Sequence, residues 1–335
     1  MEKQHMNFVK SLSVSTIVVS LILAVTGCSS APEVVNPYNP EPKMASLRAS
    51  TGDNPTKMHF LVFGDSKGSP EFKNVLKRAD ALNPQFNITT ADLVKTGGGE
   101  KGILDYQRLD QQGGWFMRKY PMWPTVGNHE EAGGEDAINN FTNFFSMEKA
   151  MYSFEYGNAK FIALPWPKMS EDETKLSWLE DELKSANGKH IFIYKHRPHY
   201  TVGSKKYKDV EGLESKTTRL YDKYKVKAVF SGHDHIYYRT KRNDTHYIIS
   251  AGAGASIYKL KRVKDALAND VYYGMRTKKE IMTGAALYKF HAADGTITDI
   301  AKPMYYVVSV KIDGDKVSIE MIDAKTGKVW DKAEI

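Results

Sequence analysis

Five apolar runs in this chain each stop at a residue that binds metal or phosphate, and that recurrence limits the kind of sheet the chain can build. The run FLVFGDSKG (Phe60–Gly68) ends in Asp65, FNITTAD in Asp92, YPMWPTVGNHE in Asn128 and His129, HIFIYKHRP in His196, and VKAVFSGHDH in His233 and His235. A single histidine at a strand end is more often a satisfied structural residue than a ligand. Five segments of one design point instead to an open α/β sheet, which delivers its chemistry at the carboxyl ends of its strands.

The intervening sequence agrees. Met58 to Gly64 reads as a buried strand, and Ser69 and Pro70 open a helix with Phe72, Val75, Leu76, Ala79 and Leu82 at three- and four-residue spacing. A second strand runs from Phe86 to Thr90. MYSFEYGNAKFIAL reads as a hairpin turning at Gly157 and Asn158. Ser170 and Glu173 form a candidate capping box for a helix burying Leu176, Leu179, Leu183 and Ala186, and a further helix is expected from Leu213 to Tyr224. The segment Tyr258 to Pro303 is basic early on and weakly periodic, and reads as a helix with loops over the site. Thr96 to Lys119 reads as a loop. The tail alternates apolar and polar residues across an Asp-Gly turn, which predicts antiparallel β structure.

At the N-terminus, two lysines precede the run LSVSTIVVSLILAV, a secretory layout. Val25, Thr26, Gly27 and Cys28 resemble the bacterial lipobox, whose cysteine becomes lipidated; Ser29 after it points to the outer membrane in a Gram-negative cell. Cys28 is the only cysteine, so no intramolecular disulfide can form. The expected organisation is a signal peptide over 1–28, a flexible tether over 29–56, a catalytic domain over 57–303 and an antiparallel β segment over 304–335 packed on it. The net charge of +7 suits an anionic substrate or surface. The lysines lack aromatic interleaving, so no nucleic-acid partner is expected.

The order of the strings resembles the calcineurin-like metallophosphoesterase family: "GD" after the first strand, "AD" for the usual second "GD", an intact "GNHE", a His-x-Pro segment and an intact "GHDH". The resemblance covers most of Met58 to Ala253 and is more distant to the purple acid phosphatases. It implies a four-layer αββα sandwich with a small C-terminal β extension. It also implies two divalent ions (Mn, Fe or Zn) roughly 3.5 to 4 Å apart that provide a hydroxide and clamp a phosphoryl group. Asp92 would bridge the ions, with Asn128, His196 and His233 completing one site and Asp65 and His235 serving the other. His129 would contact phosphate or protonate the leaving oxygen. The substrate would be a phosphomonoester, phosphodiester or pyrophosphate.

Simpler roles compete with these. Asp65 is also a possible helix cap, Asp92 a turn residue and His196 a loop residue. Arg239 either binds substrate or holds its loop through a carboxylate, and Arg197 and His199 are phosphate contacts or solvated loop residues. Two departures from the family bear on the site. Lys67 stands where a ligand histidine is usual, and Lys95 where the purple acid phosphatases place a tyrosine. Deprotonating a lysine at pH 7 costs on the order of 4.6 kcal/mol. Lys67 is therefore expected to point away from the metal or towards substrate, leaving a weaker site completed by water. The contrasting reading is a non-catalytic, metal-binding surface lipoprotein that keeps the fold.

Overall fold

The computed structural model describes residues 36–52, 54–166, 169–205 and 215–335; Cys28 and the apolar run before it lie outside the described residues. The first described segment corrects the expected tether. Helix α1 (Pro40–Thr51) starts at Asn39, whose side chain accepts the Glu41 N–H at 3.0 Å, and Pro40 occupies its first turn. Met44 is fully buried, Leu47 packs on the core, and Tyr38 stacks on Phe144 at 4.8 Å. So few inward positions in a polar stretch give almost no amphipathic signal, which is why its composition reads as linker.

The core follows from residue parity. Along β1 (Lys57–Phe63), Phe60 and Val62 face one way and Leu61 and Phe63 the other. The first pair enters an aromatic cluster in which Phe60 meets Phe86, Phe161 and Phe192 at ring distances of 5.1 to 5.5 Å. The second pair packs on helices α2 (Phe72–Ala81) and α3 (Gly99–Lys119). Strand β2 (Phe86–Thr89) pairs in parallel with β1 and with β3 (Met122–Trp123).

A second sheet forms behind this one. After α4 (Ala137–Phe145) come the hairpin β4 (Tyr152–Tyr156) and β5 (Ala159–Leu164), then α5 (Glu173–Ser185), β6 (His190–Lys195), α6 (Lys216–Lys223) and β7 (Ala228–Ser231). Phe192 and Tyr194 of β6 face the other sheet, while Ile191 and Ile193 pack on Leu179, Leu183 and Tyr221 of α5 and α6. Strands β5, β6 and β7 are parallel. The layers are helix, sheet, sheet, helix, as expected. Asp172, rather than Ser170, caps α5, accepting the Lys175 N–H at 3.1 Å.

Two segments differ from the sequence reading. Thr96 to Lys119 is mostly helix α3, whose internal Gly102, Gly113 and Gly114 lower its propensity. Gly113 is needed there, because a Cβ on it would lie 2.8 Å from Leu76 Cδ1 of α2. Tyr258 to Pro303 contributes three strands to the second sheet. After β8 (Tyr237–Arg242) and β9 (Thr245–Ser250) come β10 (Val271–Met275), the single-turn α7 (Lys278–Ile281), β11 (Tyr288–His291) and β12 (Ile297–Ile300). The tail is antiparallel β structure as expected, and it is built into the first sheet: β13 (Tyr306–Asp313) pairs antiparallel with β1, followed by β14 (Lys316–Asp323) and β15 (Val329–Glu334), so half of the first sheet's strands come from the last residues.

Two half-buried histidines are expected to make this fold acid-sensitive. Burial and the Lys311 charge push His59 down to about 4, and burial with Lys241, Arg239 and Lys227 does the same to His246. Below the unfolded value of about 6.5 the unfolded chain binds protons that the folded one refuses, so stability falls as pH drops from 7 towards 4. The expected result is a lower Tm at pH 5 than at pH 7, with a smaller difference in His59→Gln. An unchanged difference in that variant would remove His59 from the explanation.

Candidate metal centre

The five strand ends converge because their loops are zipped together. Asp65 N donates to Ala91 O at 2.8 Å, Lys67 N to Asp92 O at 2.9 Å, and Gly68 N to Leu93 O at 3.0 Å. Asp65, Lys67, Ala91, Asp92 and His233 all adopt left-handed backbone, with φ of 59°, 47°, 69°, 53° and 70°. Each costs roughly 1–2 kcal/mol in a residue with a Cβ, and such strain clusters where side chains are aimed at chemistry. Ala91 meets this cost at the position where the family has glycine. Gly127 and Gly232 are required by close approach: a Cβ on Gly127 would lie 2.3 Å from Asp92 Oδ1, and one on Gly232 2.4 Å from Asp65 Oδ2.

Glu130, the last residue of "GNHE", received no role from the sequence yet organises the loops. Its Oε2 accepts the N–H groups of Asp92 and Gly127, both at 2.9 Å, and its Oε1 that of Leu93 at 2.8 Å. Burial and the nearby Asp92 carboxylate push it up to about 7. Asp234 does similar service inside "GHDH", accepting from Thr201 Oγ1 at 2.7 Å and from the N–H groups of Ser204 and Lys205 at 3.2 Å.

The side chains meet in pairs. His196 Nε2 lies 3.2 Å from Asp92 Oδ1, His235 Nε2 3.2 Å from Asp65 Oδ1, and His233 Nδ1 3.0 Å from Asn128 Oδ1. Two ligand atoms each ~2.1 Å from one cation, at right angles, lie ~3.0 Å apart. The tautomers fit a metal. His196 Nδ1 sits 2.7 Å from Thr90 O and His235 Nδ1 2.9 Å from Ser256 O, so each ring donates to a carbonyl and turns its Nε2 inward. Both Nε2 atoms are buried with no hydrogen-bond partner among the described residues. Asp65, Asp92 and His235 also bring ligand atoms within 4.8 Å of one another. Burial opposes charge on His196, but the Asp92 and Asp65 carboxylates outweigh it and push the imidazole up to about 9. Burial likewise opposes ionisation of Asp92, yet His196, Lys67 and His129 hold it well below the usual range. The site demands positive charge between its carboxylates.

His129 is more exposed than the other three histidines. Its Nδ1 is fixed 2.6 Å from Lys95 O, its backbone N–H donates to Asp92 Oδ1 at 3.2 Å, and its Nε2 faces the site 3.7 Å from Asp92 Oδ2. Arg197 stacks on Trp166 at 4.0 Å, and that indole lies 4.7 Å from the His233 ring. Tyr258 stacks on His235 at 4.0 Å. Neither aromatic stood out in the sequence, since "LPWP" and "SIYK" carry no motif.

Three further candidates take these places in the structure. Lys67 points inward, its Nζ 3.3 Å from Asp92 Oδ2, drawn there by two buried carboxylates. His199 is buried edge-on against Tyr221 and Tyr247. Arg239 is a structural ion pair: its Nε and Nη2 donate to Asp331 at 2.6 and 2.8 Å.

Residues 58–237 match the family model for calcineurin-like phosphoesterases. The chain belongs to that family. Among curated relatives, this calcineurin-like phosphoesterase is 27% identical over 253 residues to a 3',5'-cyclic-nucleotide phosphodiesterase of Nostoc sp., covering 72% of this chain and 85% of the relative. It is also 27% identical over 158 residues to the Fe(3+)-Zn(2+) purple acid phosphatase 12 of Arabidopsis thaliana, covering 41% of this chain and 34% of that one. A purple acid phosphatase structure from yellow lupin shares the fold, with a TM-score of 0.60 at 18% identity over 84% of this chain and 54% of that one. The chain is a phosphoester hydrolase of this family, with a candidate Asp/His metal site.

Proposed function

We propose that this chain hydrolyses a phosphodiester at a divalent ion held by Asp92, Asn128, His196 and His233. The observation that carries the metal reading is the buried His196 Nε2, turned towards Asp92 by a carbonyl partner on the far side of its ring, beside the His233 ring that meets Asn128 at 3.0 Å. A divalent ion bound there supplies Lewis acidity and a nucleophile at neutral pH. Asp92 and His196 set its charge and position, and Glu130 holds the Asp92 loop. His129, with Nε2 towards the site and a solvent-reaching edge, moves a proton to the leaving oxygen. Arg197 on Trp166 brings positive charge to the rim. A diester is favoured because the alignment spans 85% of a cyclic-nucleotide phosphodiesterase but 34% of a purple acid phosphatase. Lys95 in place of a tyrosine also removes the phenol expected of the latter.

The test is hydrolysis of aryl phosphate mono- and diesters by the full chain after chelation and on adding back Mn²⁺. Mn²⁺-restored turnover that prefers the diester is the expected result. No turnover with any divalent ion, from folded protein, would favour the non-catalytic metal-binding alternative. The lipobox supports lipidation at Cys28 and an envelope location, so Cys28→Ser should move the protein into the soluble fraction; persistent membrane association would count against lipidation.

A further inference from the structure

We propose that the Lys67 ammonium takes the place of a second cation, so that the chain binds one divalent ion and supplies the other positive charge itself. The inference rests on the metal reading above and deepens it.

The two oxygens of Asp92 are divided. Oδ1 faces His196 Nε2 at 3.2 Å and accepts the His129 N–H, whereas Oδ2 faces Lys67 Nζ at 3.3 Å. On the Lys67 side, Asp65, Asp92 and His235 converge, and two buried carboxylates there call for a cation. Lys67 answers from a fixed position. Its N–H is tied to Asp92 O at 2.9 Å, its φ is 47°, its side chain is 17% exposed, and Tyr258 on His235 walls the flank.

An ammonium is a compact charge with three donors and no lone pair. It balances carboxylates but completes no coordination shell. A second divalent ion would add its charge to a buried site already facing the ammonium and the first ion, at a distance where repulsion between cations is large. The histidine usual at this position would do the reverse, supplying a lone pair and no charge. Lys67 therefore converts a two-ion site into one ion plus one fixed ammonium, whose donors are free to meet a phosphoryl oxygen.

The decisive measurement is metal content per chain, by elemental analysis of the full-length protein equilibrated with Mn²⁺ and desalted, with electron paramagnetic resonance to separate isolated from spin-coupled Mn²⁺. One isolated ion is expected in wild type and two coupled ions in Lys67→His. Lys67→Met, which removes the charge without adding a ligand, should admit the second ion at higher Mn²⁺ concentration. Two ions in wild type would overturn the inference while leaving the metal reading intact. A count of one in both variants would overturn it as well, because the ammonium would not be what excludes the ion. No ion in wild type would overturn the metal reading and the inference with it.

Discussion

Asp92→Asn lowers kcat by about 10³-fold or more while the protein stays folded. The residue acts at both sides of the site: Oδ1 on His196 and on the His129 backbone, Oδ2 on Lys67. An amide keeps the shape but gives up the charge that draws a cation, Lys67 and His196 to one point. Metal-ion stabilisation of a phosphoryl transition state is worth several kcal/mol, and each 1.36 kcal/mol is a factor of ten. The backbone of Asp92 keeps its bonds to Glu130 and Lys67, so the loop should persist. The check is kcat on an aryl diester at saturating Mn²⁺, alongside thermal melting. A variant within tenfold of wild type would show that the chemistry lies elsewhere.

The second large effect concerns stability. Asp331 on β15 of the first sheet accepts both donors of Arg239 on β8 of the second, and the Tyr237 hydroxyl at 2.7 Å. The side chains are 12% and 6% exposed. Asp331→Ala would leave the guanidinium buried and uncompensated, a loss of about 3–5 kcal/mol. At roughly 2–4 °C per kcal/mol for a domain of 150–250 residues, Tm should fall by about 10 °C. With both of these Arg239 donors committed to Asp331, Arg239→Lys should leave KM unchanged while lowering Tm. A raised KM with an unchanged Tm would restore the substrate role that the sequence left open.

Legibility in the sequence tracked how local the determinants are. The strand-end placement of Asp65, Asp92, Asn128, His196, His233 and His235 was readable because it needs only an apolar run and a polar stop. The layered fold came with them, through the family resemblance that those strings carry. Helix α3 was not readable, since its internal glycines lower its propensity and the close approach of Gly113 to Leu76 of α2 is set by tertiary packing. Strands β10 to β12 were hidden for a related reason: short segments such as YKFH become strands by pairing across a sheet, and periodicity over four residues cannot announce that. Arg239 was undecidable because its partner lies on β15, far along the chain. Lys67 was visible as a departure, but its direction depends on two carboxylates brought together by tertiary structure.

The pairing of β1 with β13 joins Lys57 to Asp313 and places the strand that carries Asp65 beside residues from the end of the chain. Such non-local pairing delays closure of a sheet. On a ribosome, the first sheet can be completed only once β13 to β15 have been made. A premature stop before Tyr306 would leave β1 as an unpaired edge, a liability for aggregation rather than a shortened enzyme.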